Sequence, residues 1–206
     1  MYDSVVKTLG ACLGIVVPVM VLSQVPPAET PRYPAGAEPP KALPAGPKNL
    51  DFHEGTEGGL PAGWFVPRAL LLAGYGAELS KTGCKTEACA VVTTPPRGGT
   101  QFGNLMQTFD AAAYLGKTIH LHAALRLEAS SSGDTAQMWL RVDCDQNRVC
   151  GLDNMGDRPV RSAKWKNADI SVRVPLEAVK INIGLVSLGH GRAWMDEVTL
   201  TVPNKK

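Results

Sequence analysis

Residues 118–128 alternate almost without interruption. Ile119, Leu121, Ala123, Leu125 and Leu127 interleave with His120, His122, Ala124, Arg126 and Glu128. A period of two marks a β-strand with one face in the core and the other in water. The turn Ser130-Ser131-Ser132-Gly133-Asp134 follows. The period then resumes over 135–144, where Met138, Leu140 and Val142 alternate with Gln137, Trp139, Arg141 and Asp143. The pattern predicts further strands over 49–52, 69–79, 89–93, 105–109, 168–174, 179–188 and 193–202. No long segment shows the 3.6-residue period of an amphipathic helix, although Asp110 can cap a single turn before Tyr114. Roughly eight to ten strands without such a helix predict an all-β, antiparallel β-sandwich.

The closing strand carries one unusual position. In strict alternation Trp194, Val198, Leu200 and Val202 share its apolar face, and Asp196 shares it with them. A carboxylate aimed at or beside a core needs a cation, a metal or several N–H donors. Gly189-His190-Gly191 is predicted to form a tight turn leading into this strand.

Two segments precede the strands. Residues 1–23 have a single early cation, Lys7, and an uncharged apolar stretch from Leu9 to Leu22, broken by Pro18. This fits a signal peptide or an N-terminal anchor. Residues 24–48 contain Pro26, Pro27, Pro31, Pro34, Pro39, Pro40, Pro44 and Pro47, which forbid regular helix and read as an extended linker. The β-sandwich is expected over 49–203.

Export changes how the cysteines are read. Cys84, Cys89, Cys144 and Cys150 lie beyond the signal and are even in number, which favours disulfides. The short spacings favour Cys84–Cys89 and Cys144–Cys150. A four-thiolate zinc site would lack the C-x2-C spacing usual for such sites. The protein is thus expected to be exported to the periplasm, the cell surface or the medium, and to meet a membrane only if the N-terminal segment is retained. A hydrophobic content of 44% suffices for one core, and a net charge of +2 without a basic block gives no footprint for nucleic acid.

Candidate chemistry lies on the polar faces and in one loop. Trp139 and Arg141 are two apart and project side by side, and His120, His122 and Arg126 do so on the preceding strand. An exposed indole beside planar donors suits a sugar ring. The loop around Asn154, Asp157 and Arg158 is dense in hydrogen-bonding groups and would form a rim. G-x-S-x-G, H-E-x-x-H and Walker motifs are absent, so no catalytic residues and no required cofactor are assigned. These observations predict a non-enzymatic module that binds a glycan or another small polar ligand. The alternative is a structural or docking module that binds an envelope protein.

Four motifs recur in an order that resembles a known type. They are Asn49-Leu50-Asp51-Phe52-His53-Glu54-Gly55, then Gly59-Leu60-Pro61-Ala62-Gly63-Trp64, then Asp153-Asn154-Met155-Gly156-Asp157-Arg158-Pro159, and finally Gly191-Arg192-Ala193-Trp194-Met195-Asp196-Glu197-Val198. Together they resemble the galactose-binding-like, carbohydrate-binding-module-like jelly rolls. The nearest echo is the variety appended to bacterial transcriptional regulators and erythromycin-esterase-like proteins. The resemblance implies a jelly-roll fold and a structural Ca²⁺ near the first and last strands, with Asp196 as a ligand. Here His53 stands where an acid often follows the aromatic residue, so Glu54 would have to complete that site.

Overall fold

The computed structural model describes residues 42–95 and 102–203. The signal or anchor segment and most of the proline-rich linker lie outside the described residues. The elements are α1 (Arg68–Leu72), β1 (Gly76–Ser80), β2 (Cys89–Thr93), β3 (Gly103–Asp110), β4 (Thr118–Glu128), β5 (Thr135–Cys144), β6 (Val149–Asp153), β7 (Lys166–Arg173), β8 (Ala178–Leu188) and β9 (Arg192–Thr201).

The strands form two antiparallel sheets, ordered β1-β2-β9-β4-β7 and β3-β8-β5-β6. Alternation decides what lies between them. From β4 come Ile119, Leu121, Ala123, Leu125 and Leu127, and from β5 Met138, Leu140 and Val142, all at most 1% exposed. Phe109, Ile181 and Leu185 complete the same core from β3 and β8. The fold is therefore the β-sandwich that the periodicity predicted.

Several elements differ from the sequence expectation. Residues 49–52 form a turn instead of a strand. Asn49 and Phe52 take left-handed φ values of 49° and 57°. The Asn49 side chain donates to the carbonyls of Glu54 and Ala62 at 2.8 and 3.0 Å and accepts from the Glu54 N–H at 2.9 Å. Residues 69–79 are split in two. Pro67 opens α1, accepting from the N–H groups of Leu70 and Leu71, and Gly74 at φ 86° turns the chain into β1. β6 is a strand that the period does not predict, and its last two residues, Leu152 and Asp153, read in sequence as the start of the loop around Asn154. It pairs with β5, to which the disulfide Cys144–Cys150 also ties it.

The second disulfide is Cys84–Cys89, so both short-range pairings expected from spacing are present. Gly189-His190-Gly191 does turn the chain into β9, but β8 and β9 belong to different sheets, so no hairpin forms there. The bend is held by Asp134, whose Oδ1 accepts from the His190 N–H at 3.1 Å. Packing against the domain begins ahead of Asn49. Asp110 N donates to Pro44 O at 2.8 Å, and Lys48 exchanges two hydrogen bonds with the buried Gln107 side chain.

The phase of β9 departs most from expectation. Asp196 pairs with Ala124 and Thr199 with His122, so three steps on β9 oppose two on β4. This is a β-bulge, with Glu197 at φ 51°. The extra residue reverses which side chains face inward. Ala193 and Met195 point to the core before the bulge, and Val198 points there after it. Trp194 and Asp196 therefore face outward, away from the side that strict alternation assigned to Asp196 together with Val198 and Leu200.

Candidate functional site

The most developed surface lies on the outer face of the four-stranded sheet. Trp139 stands opposite Gly184 on β8. A Cβ on Gly184 would lie 2.7 Å from Trp139 Nε1 and 2.9 Å from Cε2, so the missing side chain lets the indole rest on the neighbouring strand. Its Nε1 donates to Asn104 Oδ1 on β3 at 3.0 Å. The ring is 9% exposed. It is the floor of a groove, which corrects the open platform expected from its place on a polar face.

Arg141 follows on the same face. Its Nη2 donates to Asp143 Oδ2 at 3.0 Å, and its Nε sits 2.9 Å from Oδ1 in a charge contact without hydrogen-bond geometry. Asn182 Nδ2 donates to Asp143 Oδ2 at 2.9 Å, and Thr108 Oγ1 donates to Asn182 Oδ1 at 2.8 Å. Lys180 Nζ adds a second cation at 3.7 Å. Asp143 is 1% exposed, and these partners offset the cost of burying its charge. Strands β3, β8 and β5 thus carry a continuous row of polar groups beside the indole.

A groove of about 370 Å³ meets this row at Arg141 and is lined by Phe102, Asn104, Trp139, Arg141, Leu152 and Asn154 among others. Small-ligand sites commonly span about 300–1,000 Å³. Phe102 and Leu152 are 43% and 55% exposed and give the groove apolar walls. Trp139, Arg141 and Asn154, singled out from the sequence, are brought together here.

Asp157 and Arg158 line a neighbouring cleft of about 590 Å³, and Asn154 is a wall of both spaces. Arg158 donates to Asp157 Oδ1 at 2.8 Å, to Asp153 Oδ2 at 2.5 Å and to the Asp169 carbonyl at 3.2 Å. The hydrogen bond to Asp153 leads in holding its guanidinium pKa above the ordinary value, with Asp157 adding to it. The loop is also bonded within itself, since Met155 N donates to Asp153 Oδ1 and Gly156 N to Asn154 Oδ1.

The histidines and Arg126 do not join Trp139. β4 and β5 are successive in sequence but belong to different sheets, so their polar faces point in opposite directions. His122 Nδ1 pairs with Asp169 at 2.8 Å, and His120 Nδ1 lies 3.2 Å from Ser171 Oγ. Arg126 stacks on Trp194 at 3.8 Å from the ring centroid and reaches Trp165 at 5.3 Å. Phe102, Asn104 and Asn182 were not singled out from the sequence. Their signal was an aromatic at a strand start and polar positions in apolar strands, which become informative only once the strands are paired.

Asp196 is fully buried on the outer face of the five-stranded sheet. Its Oδ2 accepts from the N–H groups of Lys85 and Thr86 at 2.7 and 2.9 Å, and its Oδ1 from Thr86 Oγ1 and Glu197 N, both at 2.7 Å. Calcium takes six to eight oxygen ligands. The groups around Asp196 are donors, and the sulfurs of Cys84 and Cys89 close to it are joined in a disulfide. Glu54 is exposed and shares no hydrogen-bond partner with Asp196 among the described residues. The residues present do not fit a calcium ion.

No protein-family model matches the chain. In overall structure it is a jelly-roll β-sandwich of the kind seen in carbohydrate-binding modules. The CBM22-1 xylan-binding domain of Paenibacillus barcinonensis Xyn10C superposes with a TM-score of 0.57 at 13% identity, covering 76% of this chain and 94% of that domain. The C-terminal family 22 carbohydrate-binding module of Clostridium thermocellum Xyn10B gives 0.55 at 15% identity, covering 75% and 94%. A family 4 carbohydrate-binding module gives 0.51 at 18%, covering 77% and 100%. In sequence the chain is similar to an uncharacterised helix-turn-helix transcriptional regulator, YbfP, of Bacillus subtilis. The two are 33% identical over 99 residues, which are 48% of this chain and 33% of the regulator. The match thus spans about a third of that relative's length.

Proposed function

We propose that this protein is a non-catalytic carbohydrate-binding module that holds a glycan along the outer face of its four-stranded sheet. The observation that carries this reading is the groove itself. An indole rests on Gly184 as its floor, beside Asn104, Arg141 and Asn154, with the exposed faces of Phe102 and Leu152 as walls. Sugars present C–H faces that pack on aromatic and apolar groups, and hydroxyls that exchange hydrogen bonds with planar side chains. Phe102 supplies the open aromatic face, Asn154 an unburied amide, and Trp139 the floor that fixes the depth of the groove. Asp143 is engaged by Arg141, Asn182 and Lys180, which suits a fixed binding surface better than acid–base chemistry. Fold likeness to xylan-binding modules supports the ligand class.

We place the protein outside the cytoplasm. Its two disulfides are characteristic of oxidising compartments, and the apolar N-terminal stretch provides a route there.

Affinity electrophoresis through gels containing soluble polysaccharides, beginning with xylan, tests the reading. Wild-type protein should be retarded by at least one of them. Phe102→Ala, at an exposed position, should weaken that binding about tenfold while leaving thermal unfolding unchanged. Normal migration of the folded wild-type protein in every gel would sink the carbohydrate reading.

A further inference from the structure

We infer that the disulfide-closed loop between β1 and β2 does the structural work that a calcium ion would otherwise do at Asp196, so that the sandwich is independent of calcium and depends on the Cys84–Cys89 bond. This does not rest on the glycan reading.

A carboxylate can accept roughly four hydrogen bonds, two on each oxygen. At Asp196 all four places are filled. Three of the four donors come from two consecutive residues, Lys85 and Thr86, inside the disulfide-closed loop. Two successive N–H groups converging on one oxygen act as a small anion-binding concavity. The loop is held in this shape at both ends. Cys84 and Cys89 are joined at a Cα separation of 5.5 Å, and the Lys85 ammonium pairs with Glu197, the residue of the bulge. Thr86 Oγ1 also lies 3.1 Å from the Ala88 carbonyl, within the same loop.

Among the described residues no acid of the opening segment bonds to Asp196 or to its donors Lys85 and Thr86. His53 faces the loop, with Nε2 3.9 Å from Glu87 Oε2. The loop crosses to β9, the central strand of its sheet, and Cys84 and Cys89 pack with Val91, Trp194 and Trp165 in a small cluster on the outside of the sheet. Asp196, outward in phase with Trp194, meets the loop there, and the bulge at Glu197 returns Val198 to the core. In effect, donors on a covalently closed segment take the place of a cation, and they tie β9 to the β1–β2 connection. An ion entering here would have to displace at least two of these donors, and the carboxylate next in sequence, Glu197, is already paired with Lys85.

The test has two independent arms. Thermal unfolding of the full-length protein is compared in excess calcium and in a chelator. The expected result is the same Tm in both, and no heat on titration with calcium chloride. A Tm that rises with calcium would overturn the inference. In the second arm the double variant Cys84→Ser/Cys89→Ser, which keeps Cys144–Cys150, is combined with Asp196→Asn. Opening the loop should lower Tm by roughly 5 °C. Asp196→Asn should cost clearly less in that background than in the wild type, because its donors are no longer held together. Strict additivity of the two changes would refute the latch. Should the double variant fail to fold, Thr86→Val with the disulfide intact replaces it: coupling to Asp196→Asn is expected, and additivity overturns the proposal equally.

Discussion

At the scale of single residues, the buried carboxylates distinguish what a one-dimensional pattern reveals from what it hides. Asp196 was legible as an anomaly, because an acid among apolar residues on a strand demands partners. Asp134 was not, since an acid at the end of a serine-glycine turn looks like ordinary surface. It is 1% exposed. Burial alone would raise its pKa. The Ser131 hydroxyl and the backbone N–H groups of His190, Ser130 and Ser131 outweigh that and hold it at about 2, below the ordinary 3.8. The folded protein therefore binds this proton more weakly than the unfolded chain does. Its contribution is fully present above about pH 4 and is lost as pH falls from about 3.8 toward 2. The shift corresponds to about 2 kcal/mol at neutral pH. Asp134→Asn should remove that much stability at pH 7 and much less near pH 2, as urea unfolding at the two values would show. An equal loss at both would mean that packing, not charge, is what Asp134 supplies. Gly189 fits the same account, since a Cβ there would fall 2.2 Å from Asp134 Oδ1.

At the scale of elements, legibility tracked uninterrupted alternation. The ends of β4 and β5 agree with the expected 118–128 and 135–144 because both strands have one apolar face and clear turns around them. β6 was missed because its inward-facing position is Gly151, whose Cβ would lie 2.8 Å from Val172, so the strand shows no apolar period. Sheet membership was also hidden. Two successive strands with matching polar faces looked like one platform, yet they form opposite walls of the sandwich, and the histidines of β4 were separated from Trp139 for that reason. β9 reads correctly as a strand and incorrectly as a face, because one added residue reverses every later side chain. Deleting Glu197 makes this testable. It takes out the added residue, so a regular strand with Asp196 still opposite Ala124 and Thr199 still opposite His122 keeps Val198 and Leu200 on the inner side. The deletion variant should therefore unfold cooperatively and lose no more than about 2 kcal/mol, for the Lys85–Glu197 ion pair and the Glu197 N–H bond to Asp196. Loss of cooperative thermal unfolding would show that the bulge does more than reset the phase of the strand.

At the scale of the whole molecule, the fold was legible and its outer boundary was not. The density of prolines made residues 24–48 read as linker throughout, yet the last of them already belong to the sandwich. Gln107 explains why. It sits on the inward side of β3, an edge strand, and is only 3% exposed. A primary amide buried there needs partners for its oxygen and its nitrogen. Lys48 provides both, with its N–H 2.9 Å from Gln107 Oε1 and its carbonyl 2.7 Å from Gln107 Nε2. Pro44 O satisfies the Asp110 N–H at the other end of the same edge. The segment thus covers an edge that would otherwise present open backbone groups and an unpaired amide. Its prolines do not prevent this, because it accepts at Pro44 and exchanges both bonds at Lys48, where an N–H is available. Protein beginning at Ala42 should unfold at the full-length temperature. Protein beginning at Asn49, which keeps every strand, should unfold several degrees lower, since two amide groups lose their partners at about 1 kcal/mol or more each. Differential scanning calorimetry of the two truncated forms separates the cases. Equal transition temperatures would return the segment to the role of a tether. A lower one for the shorter form would show that this jelly roll is closed along β3 by the end of its own linker.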